Sequence, residues 1–282
     1  MYRVLAWITA LVVSGGVVRT EAPVGPEISA PSAVLMEAST GQIIYEKNGE
    51  EQRSPASITK IMTLILIFDA LQSGKIRLTD EVVTSAHAKS MGGSQVFLEE
   101  GEIQTVETLI KCIVIASGND ASVAMAEFIG GDEGTFVKMM NEEAVQIGAT
   151  GTHFANANGL TNADHYMTAY DLYLMFHEAL KYEKFRDIIG TKTYTASYKG
   201  ADGSDKTASW SVSNYYMLGK KEMPEGLSVF GGKTGTTQAA GYCLIMGERD
   251  ADGKEYASVV MHADSRDALY SDMSTIMEKI DR

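Results

Sequence analysis

The chain has 282 residues, 45% of them apolar and 22% charged, enough to bury a sizeable core in one large domain or two interleaved subdomains and too apolar for a disordered chain. Its 24 Lys and Arg against 37 Asp and Glu leave a formal net charge of -13 with no dense basic cluster, which excludes nucleic acid and a polybasic membrane contact as partners. Cys112 and Cys243, its 2 cysteines, fall in apolar stretches and read as buried free thiols rather than a disulfide framework. The histidines His87, His153, His165, His177 and His262 show no ligand spacing such as H-E-x-x-H, so neither a metal nor another cofactor is expected.

At the N-terminus, Val4 to Val18 are nearly all apolar or small, follow Arg3, and are too few to span a bilayer, which takes about 20 residues. Residues 1–22 are therefore expected to be a signal peptide; Thr20-Glu21-Ala22 offers a small-residue cleavage site, and Pro23 beside it leaves the position open. No later segment reaches 18 unbroken apolar residues, so an exported, extracytoplasmic protein without a stable membrane anchor is expected. Ala33 to Glu37 and Gln42 to Lys47 read as strands joined by a hairpin turn. A mostly helical middle follows: Lys60 to Gln72, Val106 to Ala116, Ala121 to Ile129, Thr135 to Ile147 and Ala169 to Leu180, with a loop at Met91-Gly92-Gly93-Ser94. Strands return at Thr193 to Tyr198, Leu227 to Lys233, Ala240 to Gly247 and Tyr256 to His262, with Lys199 to Lys206 a hairpin or surface loop. An amphipathic helix, Asp267 to Ile280, closes the chain. Strands at both ends around inserted helices predict an α+β fold: an antiparallel sheet flanked by helices, with a helical subdomain inserted.

Three short motifs stand in order along this scaffold: Ser57-Ile58-Thr59-Lys60, Ser117-Gly118-Asn119 and Lys233-Thr234-Gly235. Alone, each has a bland reading: a solvated helix face, a plain N-cap, and an edge strand with a protective lysine. Context sharpens the first. Arg53-Ser54-Pro55-Ala56 stops any upstream helix and an apolar run from Ile61 to Leu71 follows, so Ser57 is placed at a helix N-terminus. Residues three apart share a helix face, which brings the Lys60 amine to the Ser57 hydroxyl, while free backbone amides and the helix dipole face charge developing there. Ser117-Gly118-Asn119 interrupts a helical stretch and reads as a tight turn between helices. Glycines flanking Lys233-Thr234 suggest a strand edge that a ligand backbone can approach.

The set S-x-x-K, S-D-N and K-T-G is shared by penicillin-binding proteins and class A β-lactamases. From about Ala33 onward the chain resembles the D-alanyl-D-alanine carboxypeptidases, the low-molecular-mass penicillin-binding proteins. The likeness runs through Arg53 to Thr63, Ser117 to Ala121, His153 to Asn156, Asn158-Gly159-Leu160, His165 to Asp171 and Gly231 to Thr237. The resemblance implies that residues 28–282 form a serine carboxypeptidase domain acting on peptidoglycan stem peptides ending in D-Ala-D-Ala and acylated by β-lactams. It also implies roles: Ser57 as nucleophile, Lys60 as its base, Ser117 as a proton relay, and Asn119 holding Lys60 and the substrate amide. Lys233, Thr234, Gly235 and Thr236 would line the substrate site, with Lys233 and Thr234 on the terminal carboxylate and the Ser57 and Thr236 amides as oxyanion hole. Arg266 would add to the carboxylate pocket. Many relatives carry a further β-rich domain and a C-terminal anchor, which are expected to be absent here.

Three rival readings stand beside this one. A class A β-lactamase needs a glutamate in an E-x-x-L-N segment to activate the deacylating water, and no such segment occurs between Asn119 and Lys233. A catalytically silent wall-binding module would not require intact Ser57, Lys60, Ser117, Asn119 and Lys233. An endopeptidase cutting cross-links is not separated from a carboxypeptidase by these residues.

Overall fold

Apolar, β-branched runs near both ends of the chain pair into one sheet, and the helical middle packs against and beside it. The computed structural model describes residues 27–280; the expected signal segment lies outside the described residues. Strands β1 (Ser32–Glu37) and β2 (Ile43–Lys47) lead into a 3₁₀ turn, Ala56–Thr59, and helix α1 (Lys60–Gln72). Next come β3 (Glu81–Val83), the single-turn α2 (Ala86–Lys89), β4 (Ile103–Thr105), α3 (Val106–Lys111) and a π-helical turn, Cys112–Ala116. Helices α4 (Asn119–Gly130), α5 (Glu133–Gln146), α6 (Ala169–Ala179) and α7 (Glu183–Ile189) complete the middle. The chain returns through β5 (Thr193–Lys199), β6 (Asp205–Ser211), β7 (Ser228–Thr237), β8 (Gly241–Arg249) and β9 (Glu255–Ala263) to α8 (Arg266–Met277). The main sheet has the order β2-β1-β9-β8-β7, antiparallel throughout, which leaves β7 on an edge.

Side chains alternate across a strand, and here both faces are covered. Val34 and Met36 of β1, Cys243 and Ile245 of β8, and Val259 and Met261 of β9 join the core built around α1 and α6. Their neighbours Leu35, Leu244, Met246 and Val260 face the other way, onto Leu269, Met273, Ile276 and Met277 of α8. Helix α1 is buried all round, with Ile61, Met62, Leu64, Ile65 and Ile67 fully enclosed, because it lies between the sheet and the helical subdomain. Cys112 and Cys243 are buried free thiols. Among the described residues no helix is long and apolar enough to cross a membrane.

The α+β architecture matches the sequence expectation, with local differences. The helix expected over Val106 to Ala116 is α-helical only to Lys111. Its end widens into the π turn, where Gly118 N–H reaches back to Cys112 O at 3.1 Å and Ser117 closes the turn in the left-handed region (φ 58°, ψ 33°). The strand expected to end at Lys233 continues to Thr237, because each residue from Gly231 to Thr237 stays in register with β8 despite its glycines. The polar segment after Tyr198 is the tip of a hairpin whose second strand, β6, alternates exposed Thr207, Ser209 and Ser211 with inward Ala208 and Trp210. Trp210 stacks on Tyr194 at 6.2 Å.

One buried group sits at odds with its surroundings. Glu248 of β8 lies on the α8 side of the sheet and is fully buried. Burial pushes its carboxyl well above the ordinary glutamate range. The folded state therefore keeps a proton that the unfolded chain releases above about pH 4.5, so stability falls as pH rises through and beyond that value. Glu248→Gln is expected to be more stable than the parent at about pH 8, by a margin that shrinks toward about pH 4 at up to about 1.4 kcal/mol per pH unit. Denaturant unfolding at several pH values measures this; parallel stability profiles for the two proteins would mean that Glu248 is ionised in the fold.

Candidate active site

Pro55 and the 3₁₀ turn set Ser57 one turn ahead of the helix start at Lys60, so Ser57 lies in the approach to α1 rather than in the α-helix proper. The three-residue spacing nevertheless brings Lys60 Nζ to 3.1 Å from Ser57 Oγ. The Lys60 amine is wholly buried and has two further partners, Asn119 Oδ1 at 2.7 Å and the Asn158 carbonyl at 2.6 Å. Both of these oxygens only accept. A neutral amine has two N–H bonds and one lone pair, so with the N–H bonds spent on Asn119 and Asn158, the lone pair is left for the Ser57 hydroxyl proton. Burial first, and then the positive charge of Lys233, hold the Lys60 amine well below the usual lysine range, against an opposing pull from Asp120.

The second motif forms the opposite wall. Ser117 ends the π turn, and Asn119 opens α4 with Gly118 in the capping position, so Asn119 is not the N-cap. Its side chain is free to bridge: Oδ1 takes Lys60, while Nδ2 donates to Gly92 O at 2.7 Å. The backbone N–H of Asn119 donates to Ser94 O at 2.7 Å, which ties the glycine loop to the motif. Asp120, almost fully buried, accepts the amides of Val96 (3.1 Å), Leu98 (3.0 Å) and Ala121 (2.9 Å).

The third motif lies on the open edge of the sheet. Lys233 Nζ donates to Ser117 Oγ at 2.8 Å and to Thr234 O at 2.9 Å, so it joins the second and third motifs. Burial brings its amine down to about 7. A Cβ on Gly235 would meet Pro55 O at 2.9 Å, so the bare glycine lets β7 lie against the turn that carries Ser57. Thr234 Oγ1 is 2.5 Å from Ser213 Oγ. Arg266 starts α8, donates to Tyr215 OH at 2.8 Å, and stands over the Tyr215 ring, which stacks on Tyr270. One open cavity of about 240 Å³ is lined by Ser57, Ser117, Thr234, Gly235, Thr236 and Arg266 among others, with Lys60, Asn119 and Lys233 buried behind its wall. All nine residues singled out in the sequence thus come together.

Several contributors had no role assigned from the sequence. The Asn158 carbonyl reaches Lys60 because the Asn156 side chain takes the amides of Asn158 and Gly159 and donates to Leu160 O. Gly159 (φ +89°) is required there, since a Cβ would fall 1.8 Å from Ala56 O. The Asn-x-Asn-Gly pattern carried the turn signal, but a backbone acceptor leaves no side-chain mark. Asp120 directly follows Asn119, and a carboxylate in the first turn of a helix is a common cap that hides its second use.

A family model described as D-alanyl-D-alanine carboxypeptidase, peptidase S11, matches residues 17–265. D-alanyl-D-alanine carboxypeptidase DacF of Bacillus subtilis (strain 168) is 48% identical over 230 residues, 82% of this chain and 57% of that protein. The crystal structure of the Streptomyces K15 DD-transpeptidase superposes with a TM-score of 0.82 at 30% identity, covering 90% of this chain and 98% of that one. The crystal structure of the D-alanyl-D-alanine carboxypeptidase DacD from Francisella tularensis gives a TM-score of 0.82 at 28% identity, covering 91% and 71%. The chain spans roughly three fifths of the length of the Bacillus subtilis and Escherichia coli relatives it matches. On the family match and the 48% identity, the chain belongs to the peptidase S11 family of D-alanyl-D-alanine carboxypeptidases.

Proposed function

We propose that residues 28–282 form a serine-type carboxypeptidase domain that removes the terminal D-alanine from peptidoglycan stem pentapeptides through an acyl-enzyme on Ser57. Residues 1–22 would act as the export signal, and the reaction would take place outside the cytoplasm. The observation that carries this reading is the buried Lys60 amine, whose two carbonyl acceptors leave only Ser57 to supply a proton.

In this reading Ser57 Oγ attacks the carbonyl carbon of the penultimate D-alanine while its proton passes to Lys60. The oxyanion is met by the backbone amides of Ser57 and Thr236, preorganised donors in a partly enclosed site. The peptide C–N bond then breaks as a proton reaches the leaving nitrogen through Ser117, which sits between the cleft and Lys233. Thr234, Lys233 and Arg266 supply the positive and hydroxyl groups for the departing carboxylate, with Gly235 giving the ligand backbone close approach. Water then attacks the ester and releases Ser57. The K15 relative is called a DD-transpeptidase, and an amine in place of water at this last step would give that outcome. β-Lactams would acylate Ser57 by the same attack. The carboxylate that acts on Lys60, Asp120, has its oxygens engaged by backbone amides, so it is a poor candidate for the water-activating role of a β-lactamase glutamate.

Mass spectrometry of a defined stem pentapeptide after incubation with the protein tests the proposal: loss of one terminal D-alanine is expected. Ser57→Ala is expected to abolish both this loss and covalent penicillin labelling, and a labelled Ser57→Ala protein would remove Ser57 from the nucleophile role. Lys60→Ala is expected to slow acylation by at least about 100-fold with the fold retained.

The paired lysines set a pH profile. Lys60 must lose its proton to act, so acylation efficiency rises with pH through its depressed pKa, and Lys233 must keep its proton to attract a carboxylate, so efficiency falls as pH passes about 7. Lys233→Arg is expected to move the alkaline limb upward. A flat profile from about pH 5 to about pH 9 would exclude a lysine base.

With a peptide, D-alanine leaves and opens a path for water, whereas an opened β-lactam stays tethered over the ester. Intact-protein mass spectrometry is expected to find a penicilloyl adduct on Ser57 that outlives a peptide turnover many times over. Clearance of the adduct within seconds, with steady drug turnover, would favour the β-lactamase reading.

A further inference from the structure

The residue before Ser57 has an unusual backbone. Ala56 is fully buried with φ +51°, a left-handed conformation that is strained for a non-glycine residue. What holds it is a chain of buried hydrogen bonds on its carbonyl. Thr59 Oγ1 donates to Ala56 O at 2.8 Å, and the same hydroxyl oxygen lies 2.8 Å from His165 Nε2. The other ring nitrogen, Nδ1, accepts the Ala155 amide at 3.3 Å. A hydroxyl that spends its proton on Ala56 must accept from the imidazole, and a ring whose Nδ1 accepts carries its proton on Nε2. Each bond in the chain therefore has one direction: His165 to Thr59 to Ala56. Burial above all, with His153 and Lys60 nearby, brings the ring down to about 4, so it is neutral at neutral pH, and its two hydrogen bonds fix the tautomer. Phe154 meets the ring edge-on at 5.6 Å, and its own amide is tied to Asn141 Oδ1 at 2.8 Å.

The Ala56 carbonyl and the Ser57 N–H belong to one peptide unit, and no cis peptide occurs among the described residues. In a planar trans unit the two groups point in opposite directions, so anchoring the carbonyl aims the N–H. We infer that His165, acting through Thr59, is a positioning residue that aims the Ser57 amide at the developing oxyanion. The inference rests on the acyl-transfer reading of Ser57 given above.

Saturation kinetics of acylation by a fluorescent penicillin, on the full chain, test it. His165→Ala is expected to lower the limiting acylation rate about 100-fold, the scale set by small misplacements in an active site, while leaving the half-saturating penicillin concentration unchanged. Gln places an amide N–H near the Nε2 position, whereas Asn places an acceptor near Nδ1. His165→Gln should recover to within about tenfold of the parent and His165→Asn should not. Recovery by Asn alone would mean that the ring merely anchors the loop at Ala155 and would overturn the inference. So would equal rates in all three variants. Thr59→Val against Thr59→Ser is the second arm: a slow Val and a fast Ser variant support the chain, and equal rates overturn it. A parent protein that takes no label at all removes the acyl-transfer reading itself, an outcome distinct from failure of the His165 arm.

Discussion

Everything in the cleft depends on one costly act, the burial of the Lys60 amine. A protonated ammonium fully out of water needs a counter-charge, and the partners of Lys60 are two carbonyl oxygens and a hydroxyl, none of them charged. The fold answers by favouring the neutral form, and it adds a second buried amine, Lys233, whose charge pushes the same way. The result is an amine whose proton-bound form is the disfavoured one. Asp120 tempers the effect, with its charge spread over three backbone amides instead of lying against the amine.

The rest of the architecture supplies groups to that amine from three directions. α1 carries it, the helical subdomain contributes Asn119, and the loop closed by Asn156 brings the Asn158 carbonyl from the third side. The sheet enters through its unpaired edge. Among the described residues β7 has no neighbour strand beyond it, so its Thr234 and Thr236 border the cleft with Lys233 buried behind them, while β8 and β9 are covered on both faces. A sheet edge is thereby mounted on a packed support, which is what holding groups at fixed distances requires.

Much of this was legible in the residues. The end strands announced themselves as short apolar runs bounded by turn residues, and the site by residue types at fixed spacing, with Pro55 marking where the first motif had to turn. What escaped notice shares a physical cause. β3 and β4 have three residues each, too short for a period to show. β6 has Trp210 as its single large apolar residue among Asp, Lys, Thr, Ala and Ser, and its strand character comes from pairing with β5. The glycines of β7 speak against a strand locally, and only the partner strand keeps them extended. In the site, the Asn158 and Ser94 carbonyls matter through backbone position, which any side chain would supply equally well. The strained Ala56 is likewise invisible, since alanine has no preference for the conformation it adopts there.

The burial of α1 on all sides has a consequence for how the protein fails. Active sites built on surface loops can loosen while the body of the molecule stays folded. Here the serine turn runs straight into a helix whose Ile61, Met62, Leu64 and Ile65 form the centre of the main core. No partial opening can free that helix without dissolving the core around it, so the turn belongs to the most slowly opening part of the chain. Heat or denaturant should therefore leave the geometry of the cleft whole until the molecule melts, and then remove it all at once.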